Sequence, residues 1–166
     1  SLAKMKPAFD KNGTVTAGNA SGINDGAGFL VLADAAKAAA GGYKAMARLV
    51  SYGIGGVSHE VMGEGPIPST LIALAKAGLK IADIGVVESN EAFAAQSLSV
   101  AKVLGLDPQK TNPNGGAIAI GHPIGASGAV IITKALYEAR RVGSKYCLAT
   151  MCIGGGQGIT TIWELV

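Results

Sequence analysis

The chain has 166 residues, enough for one ordinary domain with a real core and too few for two large ones. A hydrophobic share of 49% and a mean hydropathy of +0.37 fit a globular chain, and no apolar run reaches the ~18 residues of a membrane span. The net charge of +3 includes Lys4, Lys6 and Lys11 near the start and Arg140, Arg141 and Lys145 near the end, too dilute for a nucleic-acid stripe and with few aromatics on which bases could stack.

Residues 1–24 are loop-like. Asp10-Lys11-Asn12-Gly13 is a tight-turn signal, and Thr14-Val15-Thr16 alternates like a strand edge. Gly26 to Asp34, GAGFLVLAD, is expected as a buried strand, followed by an alanine-rich helix over Ala35–Ala40 that Gly41-Gly42 ends. From there the pattern becomes regular: strand Arg48–Tyr52, a glycine-rich loop to Gly65, helix Ser69–Ala77, strand Ile84–Val87 and helix Ala92–Leu104. A helix from about Ala126 to Arg141 and strands Tyr146–Met151 and Gly158–Leu165 complete the chain. Strands alternating with helices predict an α/β sheet covered by helices.

Glycine supplies 25 residues, about twice the usual share, with neither the period of collagen nor the polar bias of disorder, so backbone-lined sites are expected. The glycines concentrate in Asn114–Gly128, NGGAIAIGHPIGASG, where Gly115, Gly116, Gly121, Gly125 and Gly128 allow turns at positive φ or close approach of a ligand or strand. His122 precedes Pro123, which pushes its backbone to extended geometry and holds the imidazole on a loop. An ordinary value near ~6.5 suits that ring to take and return a proton near neutrality. His59 lies in HEVMG, which lacks the second histidine of a zincin, so it is assigned to the surface and no metal site is expected.

Cys147 and Cys152 stand five apart, neither a disulfide framework nor a zinc spacing. Cys147 is expected as a small buried hydrophobe. Cys152 is followed at once by Ile153-Gly154-Gly155-Gly156, whose bare N–H groups near a thiol suit an oxyanion site, with the thiol as nucleophile or as acid/base. Asn90-Glu91-Ala92-Phe93 follows a β-like run. Asn90 or Ser89 would cap the next helix, or Asn90 would present its amide at a strand-to-helix corner, where open α/β sheets hold ligands. A nucleotide cradle fails its tests, since no GxGxxG follows a strand and no GxxxxGK[ST] exists. No signal peptide pattern opens the chain, so a reducing cytoplasm is the expected compartment, and a start at Ser1 in structured-looking sequence points to a missing N-terminal portion.

Taken together and in this order, NEAFAAQ (Asn90–Gln96), NGGAIAIGHPIGASG and CIGGG (Cys152–Gly156) resemble the thiolase family, of the biosynthetic type. KPAFDKNGTVTAGNASGINDGA (Lys6–Ala27) and VMGEGPIP (Val61–Pro68) extend the resemblance over essentially the whole chain. It implies a thiolase-like layered fold, a mixed five-stranded sheet covered by helices. Residues 1–24 would be the tail of a loop domain that holds CoA, 25–44 the last strand and helix of the N-terminal half, and 45–166 the C-terminal domain.

The implied reaction is the reversible Claisen condensation of two acetyl-CoA, through an acyl-enzyme on a cysteine of an N-terminal half that this chain lacks. His122 would take that cysteine's proton, Cys152 would exchange the α-proton, and Asn90 would hold a water of the oxyanion site. The Gly154 N–H would serve a second oxyanion hole. Ser21 would touch the pantetheine of CoA, and Met62 and Phe93 would wall the acyl pocket. No cofactor is implied, CoA thioesters being the substrates. Homo- or hetero-oligomers are expected. Val130 departs from the arginine common after SGA in the family. The second reading is a noncatalytic CoA-binding or assembly module derived from a thiolase half.

Overall fold

Four runs rich in apolar and β-branched residues pair into one mixed sheet: β1 (Ala47–Gly56), β2 (Val86–Ser89), β3 (Tyr146–Ile153) and β4 (Gln157–Leu165). The computed structural model describes residues 2–166 and orders the strands β1-β4-β3-β2. β3 and β4 form an antiparallel hairpin across Gly154–Gly156, in register from Ile153↔Gln157 to Tyr146↔Glu164. β1 adds antiparallel to the far side of β4, with a register shift between Leu49 and Ser51. β2 runs parallel to β3, and a parallel pair needs a long crossover. The chain makes that crossover through α3 (Ala94–Leu104), a glycine-framed loop holding the single turn α4 (Ala117–Ile120), and α5 (Ser127–Val142).

Helices cover both faces. On one, α2 (Pro66–Ala77) packs Ala73 and Leu74 against Ile84, Val87, Leu148 and Ile162. On the other, Ala135, Leu136 and Ala139 of α5 pack against Val86, Cys147 and Trp163. Burying a side chain such as Leu148, which is 0% exposed, contributes about 2 kcal/mol, so these two layers dominate the stability. Pro66 sits in the first turn of α2, where its missing N–H costs nothing, and left-handed Gly78 ends it. The α2 layer also holds a buried hydroxyl cluster. Thr160 Oγ1 lies 2.9 Å from Ser69 Oγ, 2.9 Å from Thr70 Oγ1 and 2.7 Å from Thr150 Oγ1, tying the helix to β3 and β4.

Three expectations are corrected. The sheet has four strands, not five; beside β2 a fifth is reduced to one parallel bridge, Val87↔Thr111. Gly26–Asp34 forms no strand and is not buried: Phe29 and Val31 are 90% and 99% exposed. Its composition suits a strand, but a strand needs a neighbour for its N–H and C=O groups, and none lies beside it among the described residues. Third, neither Asn90 nor Ser89 caps α3. The helix starts at Ala94 behind an extended Phe93 with no side-chain cap. The turn at residues 10–13 is as expected, closed by Gly13 N–H to Asp10 O at 2.9 Å, and α1 (Ala35–Ala40) ends at Gly41. Among the described residues no helix is long and apolar enough to cross a membrane, and no group of three or more His, Cys, Asp or Glu could hold a metal ion.

Candidate active site

Side chains alternate along a strand, and in β2 this sorts the polar residues by face. Val86 belongs to the α5 layer, Glu88 bonds Lys134 of α5, and Asn90, just beyond the strand end, continues that face. Asn90 is buried; its N–H donates to Thr150 O at 2.9 Å, which anchors it to β3. Its amide Nδ2 donates to His122 Nε2 at 3.3 Å.

His122 is held at its backbone N–H and at both ring nitrogens. Its N–H points to Gly22 O and Asn24 Oδ1, each at 3.3 Å, and Nδ1 lies 2.6 Å from Ser127 Oγ. Ser127 Oγ is also 2.9 Å from Pro123 O, which can only accept, so the single hydroxyl proton goes there. Nδ1 must then carry the ring proton and donate to Ser127, leaving Nε2 as the bare acceptor that faces Asn90. Burial holds the ring below its ordinary value, so it is neutral at pH 7. A neutral imidazole with its basic nitrogen turned to the strand ends is poised to accept a proton.

Cys152 lies near the end of β3, and parallel pairing with β2 brings it to the same sheet edge as Asn90. Alternation puts it on the opposite face, with Leu148 and Thr150, on the side where the 3-10 turn His59–Glu64 packs against β3. It is a free thiol, 7% exposed, which burial pushes up and a backbone hydrogen bond partly brings back. Cys147 is fully buried in the α5 layer, as expected, and pushed up to about 12 by burial and the charge of Glu88. Gly154 is exposed in the β3–β4 turn with open space around it. Gly156 in the same turn has φ +86, and a Cβ there would lie 2.3 Å from Val57 O.

The remaining expected residues ring this edge. Ser21 donates its N–H to Ala92 O at 3.0 Å, and Ala20 bridges Phe93, so the loop segment is stitched onto the Asn90 corner. Phe93 meets Phe9 edge-on at 6.1 Å, and Met62 is half-buried in the 3-10 turn. His59 is exposed.

Several contributing residues escaped sequence reasoning. Ser127 opens α5 five residues past His122, inside the glycine-framed motif, which was its one visible signal. Asn24 gave none. Glu91 accepts from Asn112 Nδ2 at 2.9 Å and from Ile118 N–H at 3.2 Å, holding α4. Gly116 is what lets it approach, since a Cβ there would lie 2.1 Å from the Glu91 carboxyl carbon. Of the five loop glycines only Gly115 and Gly121 take positive φ, so close approach rather than backbone strain explains Gly116. Buried Glu88 and half-buried Lys134 form an ion pair at 2.7 Å behind the site.

The profile of the thiolase C-terminal domain matches residues 43–165, and that of the thiolase N-terminal domain matches residues 1–36. The chain belongs to the thiolase family. It is 58% identical over 166 residues to the beta-ketothiolase BktB of Cupriavidus necator and 58% identical over 164 residues to an acetyl-CoA acetyltransferase of Rhizobium meliloti. Each match covers 99% of this chain but 42% of the relative, so the chain spans about two fifths of their length. Among solved thiolase structures it is similar to the Bacillus anthracis acetyl-CoA acetyltransferase, with a TM-score of 0.97 and 45% identity over 99% of this chain and 42% of that one. Human mitochondrial 3-ketoacyl-CoA thiolase in complex with CoA gives a TM-score of 0.91 and 44% identity, over 99% of this chain and 42% of that one.

Proposed function

We propose that this chain supplies the acid/base and oxyanion groups of an acetyl-CoA acetyltransferase, which condenses two acetyl-CoA to acetoacetyl-CoA and CoA reversibly. The observation that carries the reading is the fixed ring of His122, with Nε2 bare beside Asn90 at the edge where Cys152 ends its strand. The acyl-accepting cysteine belongs to an N-terminal half outside these residues. Residues 1–24 then belong to the CoA-binding loop domain, 25–44 to the N-terminal half and 45–166 to the C-terminal domain. Since the relatives are more than twice as long, activity needs that remainder.

In cleavage, the nucleophilic thiol passes its proton to His122 Nε2 and attacks the β-keto carbonyl. The Cα–Cβ bond breaks, and its electron pair enters the enolate of the departing acetyl-CoA. Cys152, held protonated by burial, gives its Sγ proton to that carbon. The CoA thiol then gives its proton to the Cys152 thiolate and attacks the acyl carbonyl, and the departing nucleophile thiolate takes back the proton held on His122 Nε2. Condensation runs the same steps backwards, with the Cys152 thiolate removing the α-proton.

The enolate oxygen needs fixed donors. The ring N–H at His122 Nε2, present once it holds a proton, and a water on Asn90 Nδ2 fill that role, and the Gly154 N–H serves the tetrahedral step. Ser21 would meet the pantetheine, with Met62 and Phe93 beside the acyl group. CoA thioesters are the substrates and no further cofactor is invoked. The complete protein is expected to be oligomeric and cytoplasmic. Thiolysis of acetoacetyl-CoA by the complete protein tests the reading: His122→Ala and Cys152→Ala should each lose about 10²–10³ in rate, and unchanged turnover would reduce the chain to a binding or assembly module.

A further inference from the structure

We infer that Lys134 is a positioning residue for the Asn90–His122 pair, its ammonium joining the strand that carries Asn90 to the loop that carries His122. Lys134 Nζ donates to Glu88 Oε2 at 2.7 Å and to the Gly115 carbonyl at 2.5 Å. Glu88 lies two residues before Asn90 on the same face of β2, with its side chain 1% exposed. Gly115 opens the loop that turns through α4 to His122. Lys134 also shares one face of α5 with Ser127, two turns earlier, and Ser127 holds His122 Nδ1. One helix face therefore grips the strand, the start of the loop and the imidazole itself.

Between those two contacts, Val130 and Ile131 close a cavity of about 10 Å³ that Glu88, Asn90, Gly121 and Ser127 also line. At position 130 the side chain is apolar, and Lys134, one turn on, carries the cation into this space. A largely buried ion pair adds little net stability, because desolvation offsets the attraction, yet removing the cation would leave the buried Glu88 carboxylate unpaired, which is costly. What the pair supplies is a fixed distance between β2, α5 and the loop. The part of this inference that concerns rate rests on the proposed thiolase reading; the part that concerns ring geometry does not.

Long-range proton–nitrogen spectra of the imidazoles test it on the 166-residue chain, with exposed His59 as internal reference. Wild type is expected to give a single Nδ1–H tautomer at His122. Lys134→Met should give mixed tautomers while His59 stays unchanged, and Lys134→Arg should restore the single form. The double variant Glu88→Gln/Lys134→Met leaves no unpaired buried charge and keeps a folded chain should the single variant unfold; it is expected to show the same mixture. A His122 signature unchanged in Lys134→Met, or in the double variant, overturns the inference, as does a mixture that arginine fails to repair. In the complete thiolase, Lys134→Met should lower kcat about tenfold with KM unchanged. Absence of turnover in the completed wild-type thiolase beside an altered ring in the variant would refute the proposed function and leave this inference standing.

Discussion

Asn90 Nδ2 and His122 Nε2 stand 3.3 Å apart across 32 residues of sequence. The contact is long-range in chain terms and short in space because β2 ends at Asn90 and the parallel crossover, through α3 and α4, returns to that same edge before α5 begins. Ser127 fixes the ring from behind, so the pair has a defined donor and a defined acceptor.

Replacing Ser127 by alanine removes the group to which Nδ1–H donates. The buried hydroxyl is worth about 1 kcal/mol, so the urea midpoint should fall modestly. The larger effect is on the ring, which loses its single tautomer, and turnover of the complete enzyme should drop about tenfold. Full activity in Ser127→Ala would show that the tautomer is set elsewhere.

The two thiols should differ in reactivity. Cys152 is 7% exposed and Cys147 is 0%, and Cys147 is pushed up to about 12. Alkylation by iodoacetamide at pH 8, followed by peptide mass mapping, should label Cys152 slowly and Cys147 only on unfolding. Labelling should accelerate as pH rises, since burial holds the Cys152 thiol above its ordinary value of 9.0. Equal labelling of both in the folded chain would contradict the burial seen here.

Much of the site was legible because its chemistry is marked by residue type. His122 in a glycine frame, Cys152 before three glycines and Asn90 at a strand end each stood out, and the helices followed from apolar periodicity. What escaped depends on partners far along the chain. An apolar run such as Phe29–Leu32 has strand composition wherever it lies, but only a neighbour makes it a strand. Asn90 has the chemistry of a helix cap, and nothing local says that its amide turns to His122 instead. Lys134 has the composition of a solvated helix residue, and only the fold reveals Glu88 opposite it.

Acid should weaken the frame of the histidine loop. Glu138 accepts from Arg141 and, at the start of that loop, from Asn114 Nδ2; these hydrogen bonds, the Arg141 one foremost, hold its carboxyl down at about 2, against an ordinary 4.5. Its stabilising contribution is therefore complete above pH 4.5 and is lost as pH falls from there toward 2. The largely exposed Arg141 makes the pair sensitive to salt. His122 acts in the same direction, its folded value being depressed below 6.5, so stability also declines as pH drops below 6.5. Urea midpoints should show a wild-type advantage over Glu138→Gln at pH 7 that shrinks below pH 4.5. A gap independent of pH would refute the assignment.

Two glycines of one turn should behave oppositely. Gly156→Ala forces a Cβ to 2.3 Å from Val57 O at φ +86, a strain of about 1–3 kcal/mol or more. Gly154→Ala meets open space and should leave the melting temperature unchanged. Similar melting temperatures for the two variants would be inconsistent with the turn described.

The most direct test of the central claim is thiolysis of acetoacetyl-CoA, followed by loss of its enolate absorbance. It compares the 166-residue chain alone with the chain completed by an N-terminal thiolase portion carrying the acyl-accepting cysteine. The account predicts no turnover alone, turnover in the completed protein, and losses of about 10²–10³ for His122→Ala and Cys152→Ala in that protein. Turnover by the single chain, or a completed enzyme indifferent to both substitutions, would contradict it.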